Sequence, residues 1–183
     1  MNNAARDARL DALIAKDEIR QLIVTYARGL DRCDVEIMKS VFHEDAVFEH
    51  ATHFKGSALE FCEHAVALLR TLGEQQHFIC NQTIELNGDK ARSETYGFAL
   101  HRCVDPANGQ RFDNLMGARL LDRYERRNGV WKIVHRQTVV DWNNDIELSE
   151  TWAKGAMGDA EMPAEYRGRK DANDPSYTWL SNH

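Results

Sequence analysis

The sequence predicts an α+β fold in which a curved, mostly antiparallel sheet wraps around N-terminal helices to form a cone-shaped barrel. Helical periodicity dominates the chain up to Gly73, and long strands separated by turn residues follow. Strands joined by short turns pair antiparallel, and helices segregated from strands are typical of an α+β fold. Such a cone has one open mouth, where a pocket is expected.

Three helices are predicted before Gly73. From Asp7 to about Leu30 apolar residues recur every three or four positions, which predicts an amphipathic helix that frays near Gly29. Asp34 is placed to cap a second, short helix, and the following segment AVFEH predicts a short strand. Ser57 begins a sequence with capping-box spacing ahead of the third helix.

Four long strands complete the predicted domain. They are expected at His77–Leu86, Ala91–Val104, Arg111–Arg126 and Val130–Trp142, with turn residues such as Asn-Gly between them. One domain therefore covers residues 1–142. The polar residues 143–183 predict a tail of the same domain that covers the pocket or contacts a neighbouring subunit.

Composition excludes several classes of function. The net charge of −6 argues against nucleic-acid binding, which needs clustered basic residues. No apolar run is long enough to cross a bilayer, and the first ten residues lack the pattern of a secretion signal, so a cytoplasmic protein without membrane contact is expected. The cysteines lack C-x-x-C spacing and are interpreted as free, mostly buried thiols; they are Cys33, Cys62, Cys80 and Cys103.

Nucleotide-binding loops, the serine-hydrolase elbow and the zinc-protease motif are all missing from the sequence, which leaves acid–base chemistry by side chains. Asp31 follows the first helix, where a carboxylate faces the unfavourable negative end of the helix dipole. It either starts a turn or orients a histidine. His77 opens the first long strand at one rim of the cone, where it is either a general base or an ordinary strand-end histidine.

Two further candidates depend on local geometry. Tyr26 and Asp31 lie about 140° apart on an unbroken helix, so both line one pocket only if the helix unwinds near Gly29. His135 and Arg136 are neighbours in a strand, so only one of them faces the pocket. Arg136 either binds an anionic leaving group or polarises a carbonyl, or it forms an exposed cross-strand salt bridge.

The remaining polar residues are weaker candidates. His101 and Asn114 lie on central strands, where they either add polar groups to a mostly apolar cavity or face solvent. A metal site is not expected, because the spacing of four histidines and of the nearby Glu44, Asp45 and Glu49 matches no familiar ligand pattern. These histidines, interpreted as a solvated surface, are His43, His50, His53 and His64.

Four motifs together resemble the SnoaL-like branch of the nuclear-transport-factor-2-like superfamily, which includes scytalone dehydratase, hexachlorocyclohexane dehydrochlorinase and bile-acid 7α-dehydratase. They are KDEIRQLIVTYARGLDRCD, SVFHEDAVFE, HFICNQTIEL and RYERRNGVWKIVHRQTVVDW. The resemblance spans roughly residues 7–142. It implies the cone fold already expected from the pattern of helices and strands.

The resemblance also implies roles for particular residues. In this branch an aspartate at the position of Asp31 holds a histidine at the position of His77, which removes a proton in a β-elimination without metal or organic cofactor. Arg136 stands where an arginine assists leaving-group departure in the dehydrochlorinase. Tyr26 resembles the tyrosine of dehydratases, whereas the dehydrochlorinase has a lysine there, so an oxygen leaving group is favoured. A homotrimer is the expected assembly.

The resulting hypothesis is a cofactor-independent lyase of the dehydratase type that acts on a small hydrophobic cyclic or aromatic substrate. Its catalytic residues would be His77, Asp31, Tyr26 and Arg136, with His101, Asn114 and His135 binding substrate. A carbon–carbon lyase or a ketosteroid-type isomerase remains open, because each also begins with proton transfer. A non-catalytic ligand-binding or assembly subunit is the alternative of another class, since the same fold serves all of these functions.

Overall fold

A computed structural model of the protein describes residues 3–51, 53–147 and 168–181. Three helices stand in the N-terminal part of the chain and one near its end. They are α1 (Asn3–Arg32), α2 (Val35–Ser40), α3 (Ala58–Leu69) and α4 (Pro175–Ser181). The predicted order of three helices before the long strands is confirmed.

In the described ranges, six strands form one curved, unclosed sheet. They are β1 (Phe42–His50), β2 (Phe54–Ser57), β3 (Gln75–Asn87), β4 (Lys90–Val104), β5 (Arg111–Arg127) and β6 (Val130–Glu147). Their order across the sheet is β2-β1-β6-β5-β4-β3, and only β1 and β6 pair in parallel. The predicted α+β cone with a mostly antiparallel sheet is therefore confirmed.

The core lies between the helices and one face of the sheet. Ile19 and Ile23, one helical turn apart on α1, are fully buried, as is Met38 on α2. Phe48 of β1 and Ile133 of β6 meet them from the sheet. Because α1 also packs along β3, its last turn is held against the first residues of that strand.

The sequence predicted that helix α1 frays near Gly29, and this prediction was wrong. The helix continues without a break to Arg32, and Gly29 is buried within it. A Cβ atom at Gly29 would stand 2.6 Å from Cγ and 2.9 Å from the backbone nitrogen of Met38. Gly29 is therefore required for the close approach of α2, and it does not end the helix.

The caps of the next two helices differ. Asp34 caps α2 as predicted, because its Oδ1 accepts the backbone amides of Glu36 and Ile37 at 3.1 Å each. Ser57 precedes α3 but makes no side-chain capping bond, so the predicted capping box is not formed. Strand β2, which ends at Ser57 and pairs with β1, was not predicted, because its sequence is short and contains a glycine.

Strand β6 continues beyond Trp142, where the sequence pattern had placed its end, and pairs with β5 as far as Glu147. Residues 148–167, about half of the tail predicted to cover the pocket or a neighbouring subunit, lie outside the described residues. The described end of the tail packs on the same chain. Lys170 donates hydrogen bonds to three backbone oxygens at the C-terminal end of α3 and just beyond it, and Tyr177 donates to Asp34 at 2.6 Å.

The four cysteines are free thiols, as predicted, with Cys33 and Cys62 buried, Cys103 partly buried and Cys80 exposed. Two of the four thiols are therefore fully buried, whereas the prediction was that most of them are. Within the described part of the chain, no helix is both long enough and apolar enough to cross a lipid bilayer.

Candidate active site

A cavity of about 450 Å³ lies between the helices and the concave face of the sheet. Its walls are mostly apolar and come from α1, α3 and the central strands. Among these apolar residues are Ala27, Leu30, Leu69, Leu72, Met116 and Leu120. This volume is within the range of small-molecule sites, and the few polar groups that reach the cavity are therefore the candidates for chemistry.

Asp31 and His77 are brought together at one wall of this cavity. Oδ1 of Asp31 lies 2.7 Å from Nδ1 of His77 and also accepts the backbone amide of His77 at 3.0 Å. Both side chains are largely buried, with 19% and 16% of their surfaces exposed. The last turn of α1 carries Asp31 to the start of β3, so one carboxylate oxygen fixes both the main chain and the imidazole of His77.

This contact determines which nitrogen of His77 can act as a base. A carboxylate only accepts hydrogen bonds, so Nδ1 carries the hydrogen and Nε2 keeps a free electron pair. His77 lines the cavity, and Nε2 is the ring nitrogen that the Asp31 contact leaves available to a ligand. If Nε2 takes up a proton, the adjacent carboxylate stabilises the resulting imidazolium.

His101 lies beside His77 and lines the same cavity. The two rings meet edge to face with centroids 5.1 Å apart. Burial, reinforced by His77, lowers the pKa of His101 to about 4. Near neutral pH His101 is therefore uncharged, and it can donate or accept a hydrogen bond without placing a second positive charge next to the base.

Tyr26 lines the cavity from α1, the helix does not unwind, and Asp31 is not among the lining residues, which agrees with the prediction that both line one pocket only if the helix unwinds. The two residues reach the site from different sides: Tyr26 faces the cavity directly, and Asp31 acts through His77. Only 4% of Tyr26 is exposed, and burial raises the pKa of its hydroxyl far above the ordinary value. The hydroxyl therefore keeps its proton and is available as a hydrogen-bond donor.

Arg136 is fully buried behind Tyr26 and does not line the cavity. Its guanidinium forms two hydrogen bonds to Asp122 of β5, at 2.7 and 2.9 Å, and its central carbon lies 4.3 Å from the centroid of the Tyr26 ring. The predicted direct contact with a leaving group is therefore corrected, as is the alternative of an exposed salt bridge. Arg136 therefore reaches the cavity through aromatic rings that line it, those of Tyr26 and Phe48.

His135 is on the opposite face of β6 from Arg136, because successive strand residues alternate. Its Nε2 lies 3.0 Å from the Glu49 carboxylate, in a groove outside the main cavity. Its predicted substrate-binding role is therefore wrong. Asn114 does line the cavity, although its amide nitrogen donates to Asp145 at 2.6 Å.

Three cavity residues were missed from the sequence. They are His50, which is half-buried, and His53 and His64, which are exposed in agreement with the predicted solvated surface; all three line the wall formed by β1, β2 and α3. Phe48 and His50 are two residues apart on β1, so their side chains lie on the same face of the sheet. The apolar Phe48 was therefore the sequence signal that could have placed His50 at the cavity. Throughout the described ranges, no group of three or more His, Cys, Asp or Glu side chains has the arrangement of a metal site.

Comparisons with known proteins agree with this architecture. A type 2 hexachlorocyclohexane dehydrochlorinase superimposes with a TM-score of 0.69 at 20% identity, over 79% of this chain and 99% of its own. The type 3 enzyme from Novosphingobium barchaimii gives a TM-score of 0.65 at 21% identity, over 78% and 99% of the two chains. At such low identity these similarities show a shared fold.

A proposed scytalone dehydratase from Novosphingobium aromaticivorans is similarly close, with a TM-score of 0.65 and 19% identity over 75% of this chain and 91% of its own. No curated protein matches the chain significantly by sequence. Residues 11–137, which include the Asp31–His77 pair and most of the sheet, match the SnoaL-like domain. The chain therefore belongs to the family of SnoaL-like domain proteins.

Proposed function

We propose that the protein is a cofactor-independent lyase that removes water from a small hydrophobic cyclic or aromatic substrate. The observation that carries this proposal is the 2.7 Å contact between Asp31 and His77 at the wall of an apolar cavity. A histidine fixed in this way is oriented as a general base, and a mostly apolar cavity favours an uncharged cyclic ligand. Dehydratases and dehydrochlorinases among the structural relatives add support.

In the proposed reaction, Nε2 of His77 removes a proton from the carbon next to the one that bears the hydroxyl group. The electron pair of the broken C–H bond forms the new double bond, and the C–O bond breaks. The imidazolium then returns the proton to the departing hydroxide, so water leaves and the base is regenerated. Tyr26 donates a hydrogen bond to the oxygen that gains negative charge during these steps.

Arg136 has a supporting part in this proposal. It lies against the ring of Tyr26, and the buried Asp122 carboxylate holds its guanidinium in place. A positive charge at this position favours negative charge on the oxygen to which Tyr26 donates. Arg136 is therefore a positioning and electrostatic residue, without contact to the substrate.

The test uses 3-hydroxy-1-tetralone, a bicyclic β-hydroxy ketone whose loss of water gives 1-naphthol with a changed ultraviolet absorbance. Asp31→Asn is expected to lower turnover by about 10²–10⁴-fold, because the amide can donate to Nδ1 and reverse the tautomer of His77. Asp45→Asn is the matched control, since Asp45 is exposed and pairs with Arg127 away from the cavity. Equal turnover by wild type and Asp31→Asn would refute the mechanism.

The same incubation in heavy water separates the rival functions. Deuterium at the acidic carbon without loss of water would point to a ketosteroid-type isomerase, and cleavage of the C2–C3 bond, which opens the ring to a keto-aldehyde with all ten carbons, would point to a carbon–carbon lyase. Binding of the ketone with neither exchange nor turnover would favour a non-catalytic binding protein. Exchange and cleavage are read by chromatography and mass spectrometry of the recovered compound, and binding is read by calorimetry, so no result depends on absorbance alone.

We also propose a homo-oligomer, with a trimer favoured. Phe78, Phe98, Gly117 and Trp142 are direct neighbours across strands β3 to β6 and therefore share one face of the sheet. Phe98 contacts both Phe78 and Trp142, whose rings are 5.8 and 6.0 Å away. Trp142 is 50% exposed and Phe78 47%. An aromatic row of this kind on a sheet surface supports contact with another copy of the chain.

A further inference from the structure

The wall of the cavity that faces away from the Asp31–His77 pair has its own polar side chains. His50 comes from β1, whereas His77 comes from β3, and three strands separate β1 from β3 in the sheet. Both histidines nevertheless line the same cavity, because the unclosed sheet curves around it. A ligand in the cavity can therefore contact imidazoles from two well-separated strands, β1 and β3.

A flat aromatic surface surrounds His50. The rings of Phe48 and Phe61 are stacked with centroids 3.8 Å apart and planes only 14° from parallel. The imidazole of His50 continues this stack, 5.6 Å from Phe61 and tilted by 17°. A planar ring of a ligand packs well along such a wall, since offset stacking of flat rings is favourable.

The nitrogens of His50 are available to a ligand. Among the described residues, no other residue forms a hydrogen bond with either ring nitrogen, in contrast to His43, His77 and His135, which each have a partner. His50 is half-buried, and burial lowers the pKa of its imidazole, which favours the uncharged ring. An uncharged imidazole offers one donor and one acceptor, and the only polar partner of the His50 ring among the described residues is its own backbone, so a ring nitrogen can bond a ligand.

We propose that His50 is the centre of a second polar subsite, which binds an oxygen substituent on the part of a planar aromatic substrate that is remote from the reacting carbon. The inference deepens the proposed function and rests on it for the position of the reacting carbon at His77. His53, with its ring 6.2 Å from that of His50, and His64, next to Phe54, flank this subsite at exposed positions. The substrate class is thus a planar aromatic compound with two separated oxygen groups.

The experiment compares the binding of 2-naphthol and 2,6-naphthalenediol by calorimetry. The wild type is expected to bind the diol roughly tenfold more tightly, because the second hydroxyl reaches His50 in a low-dielectric wall. His50→Phe keeps the stacked ring but removes both nitrogens. In this variant the preference is expected to fall to about twofold, which two equivalent hydroxyls give by statistics alone, while 2-naphthol binding changes little.

His43→Phe is the matched control, since His43 is on the same strand but bonds the backbone oxygen of Glu125 and does not line the cavity. It should keep the wild-type preference for the diol. An undiminished preference in His50→Phe would overturn the subsite, and so would failure of both probes to bind the wild type. Loss of turnover on the tetralone with the His50 effect intact would overturn only the proposed function, because the titration requires no catalysis.

Discussion

His77 owes its proposed role to one oxygen atom of Asp31, which bonds both its backbone amide and its Nδ1. The base is thereby fixed at two points, and rotation of the ring would break a charge-assisted hydrogen bond. His101 stands beside it without such a partner and is kept uncharged by burial. Two neighbouring imidazoles of one cavity thus have different electrostatic surroundings, which is how a site assigns different roles to the same residue type.

His101 makes stability depend on pH. Its folded pKa of about 4 lies below the roughly 6.5 of an unfolded chain, so below pH 6.5 the unfolded state binds more protons and acid favours unfolding. Between pH 7 and pH 5 the free energy of unfolding is expected to decrease in both proteins. The decrease should be about 2 kcal/mol smaller in His101→Gln than in the wild type. Urea titrations at the two pH values measure this difference. Equal losses in both proteins would contradict it.

Helix α1 joins the core to the catalytic pair, and its position depends on close packing at Gly29. Its middle is buried in the core, and its last turn carries Asp31. Helix α2 packs so near that even a methyl group at Gly29 would collide with Met38. Any displacement of this contact moves the carboxylate that orients His77.

Gly29→Ala is therefore expected to lower the free energy of unfolding by about 1–3 kcal/mol through overpacking and to reduce turnover more than substrate binding. Thermal melts and steady-state kinetics measure the two effects. Gly168→Ala is the matched control, since a Cβ atom at Gly168 would meet nothing within 4 Å. A melting temperature of Gly29→Ala equal to that of Gly168→Ala would show that the α1–α2 contact tolerates the methyl group.

The C-terminal residues also stabilise the end of α3. Lys170 Nζ lies 2.6, 3.0 and 2.9 Å from the backbone oxygens of Leu69, Leu72 and Gly73, at the negative end of that helix. Lys170→Met is expected to lower the free energy of unfolding by about 1–3 kcal/mol, because it leaves these carbonyls without their donor. Lys55→Met is the control, since Lys55 is highly exposed and its ion pair is weak. Urea unfolding of both variants measures the difference, and equal losses of stability in Lys170→Met and Lys55→Met would contradict the prediction.

Across the whole molecule, the concave face of the sheet encloses the cavity, and the aromatic row around Trp142 begins at its border, because Phe78 and Phe98 are among the residues that line the cavity whereas Trp142 is not. Side chains alternate along each strand, so Phe78 and Phe98 point in the opposite direction to His77 and Ala99. Self-association through the aromatic row would leave the catalytic pair where it is. The proposed assembly therefore depends on side chains distinct from those proposed for catalysis.

The proposed trimer predicts a native mass of three times the 21.0 kDa chain, measured by light scattering after gel filtration. Trp142→Gln is expected to lower that mass, because it removes a large apolar side chain from the aromatic row. Trp179→Gln is the matched control: Trp179 is 81% exposed on α4, away from the sheet, and its loss should leave the mass unchanged. A wild-type mass of a single chain would refute the assembly.

Local patterns in the sequence were sufficient for the helices, the long strands and their turns. Asp34 caps α2 and Asn128-Gly129 forms the last hairpin, as the residue types predict, because these preferences depend on a few neighbouring backbone groups. The same patterns gave no signal for β2, whose short strand forms only because β1 offers an edge to pair with. The role of Gly29 was misread, because its neighbour Met38 belongs to another helix.

The sequence by itself determined the α+β class, the SnoaL-like resemblance and the pairing of Asp31 with His77 as a hypothesis, since periodicity and motif residues are local properties of the chain. Only the tertiary structure decided which side chains share the cavity. It placed Arg136 behind Tyr26, His135 on the opposite face and His50 in the wall, because these outcomes depend on strand register and on the curvature of the whole sheet. Contacts between residues far apart in the chain have no local signal in a single sequence.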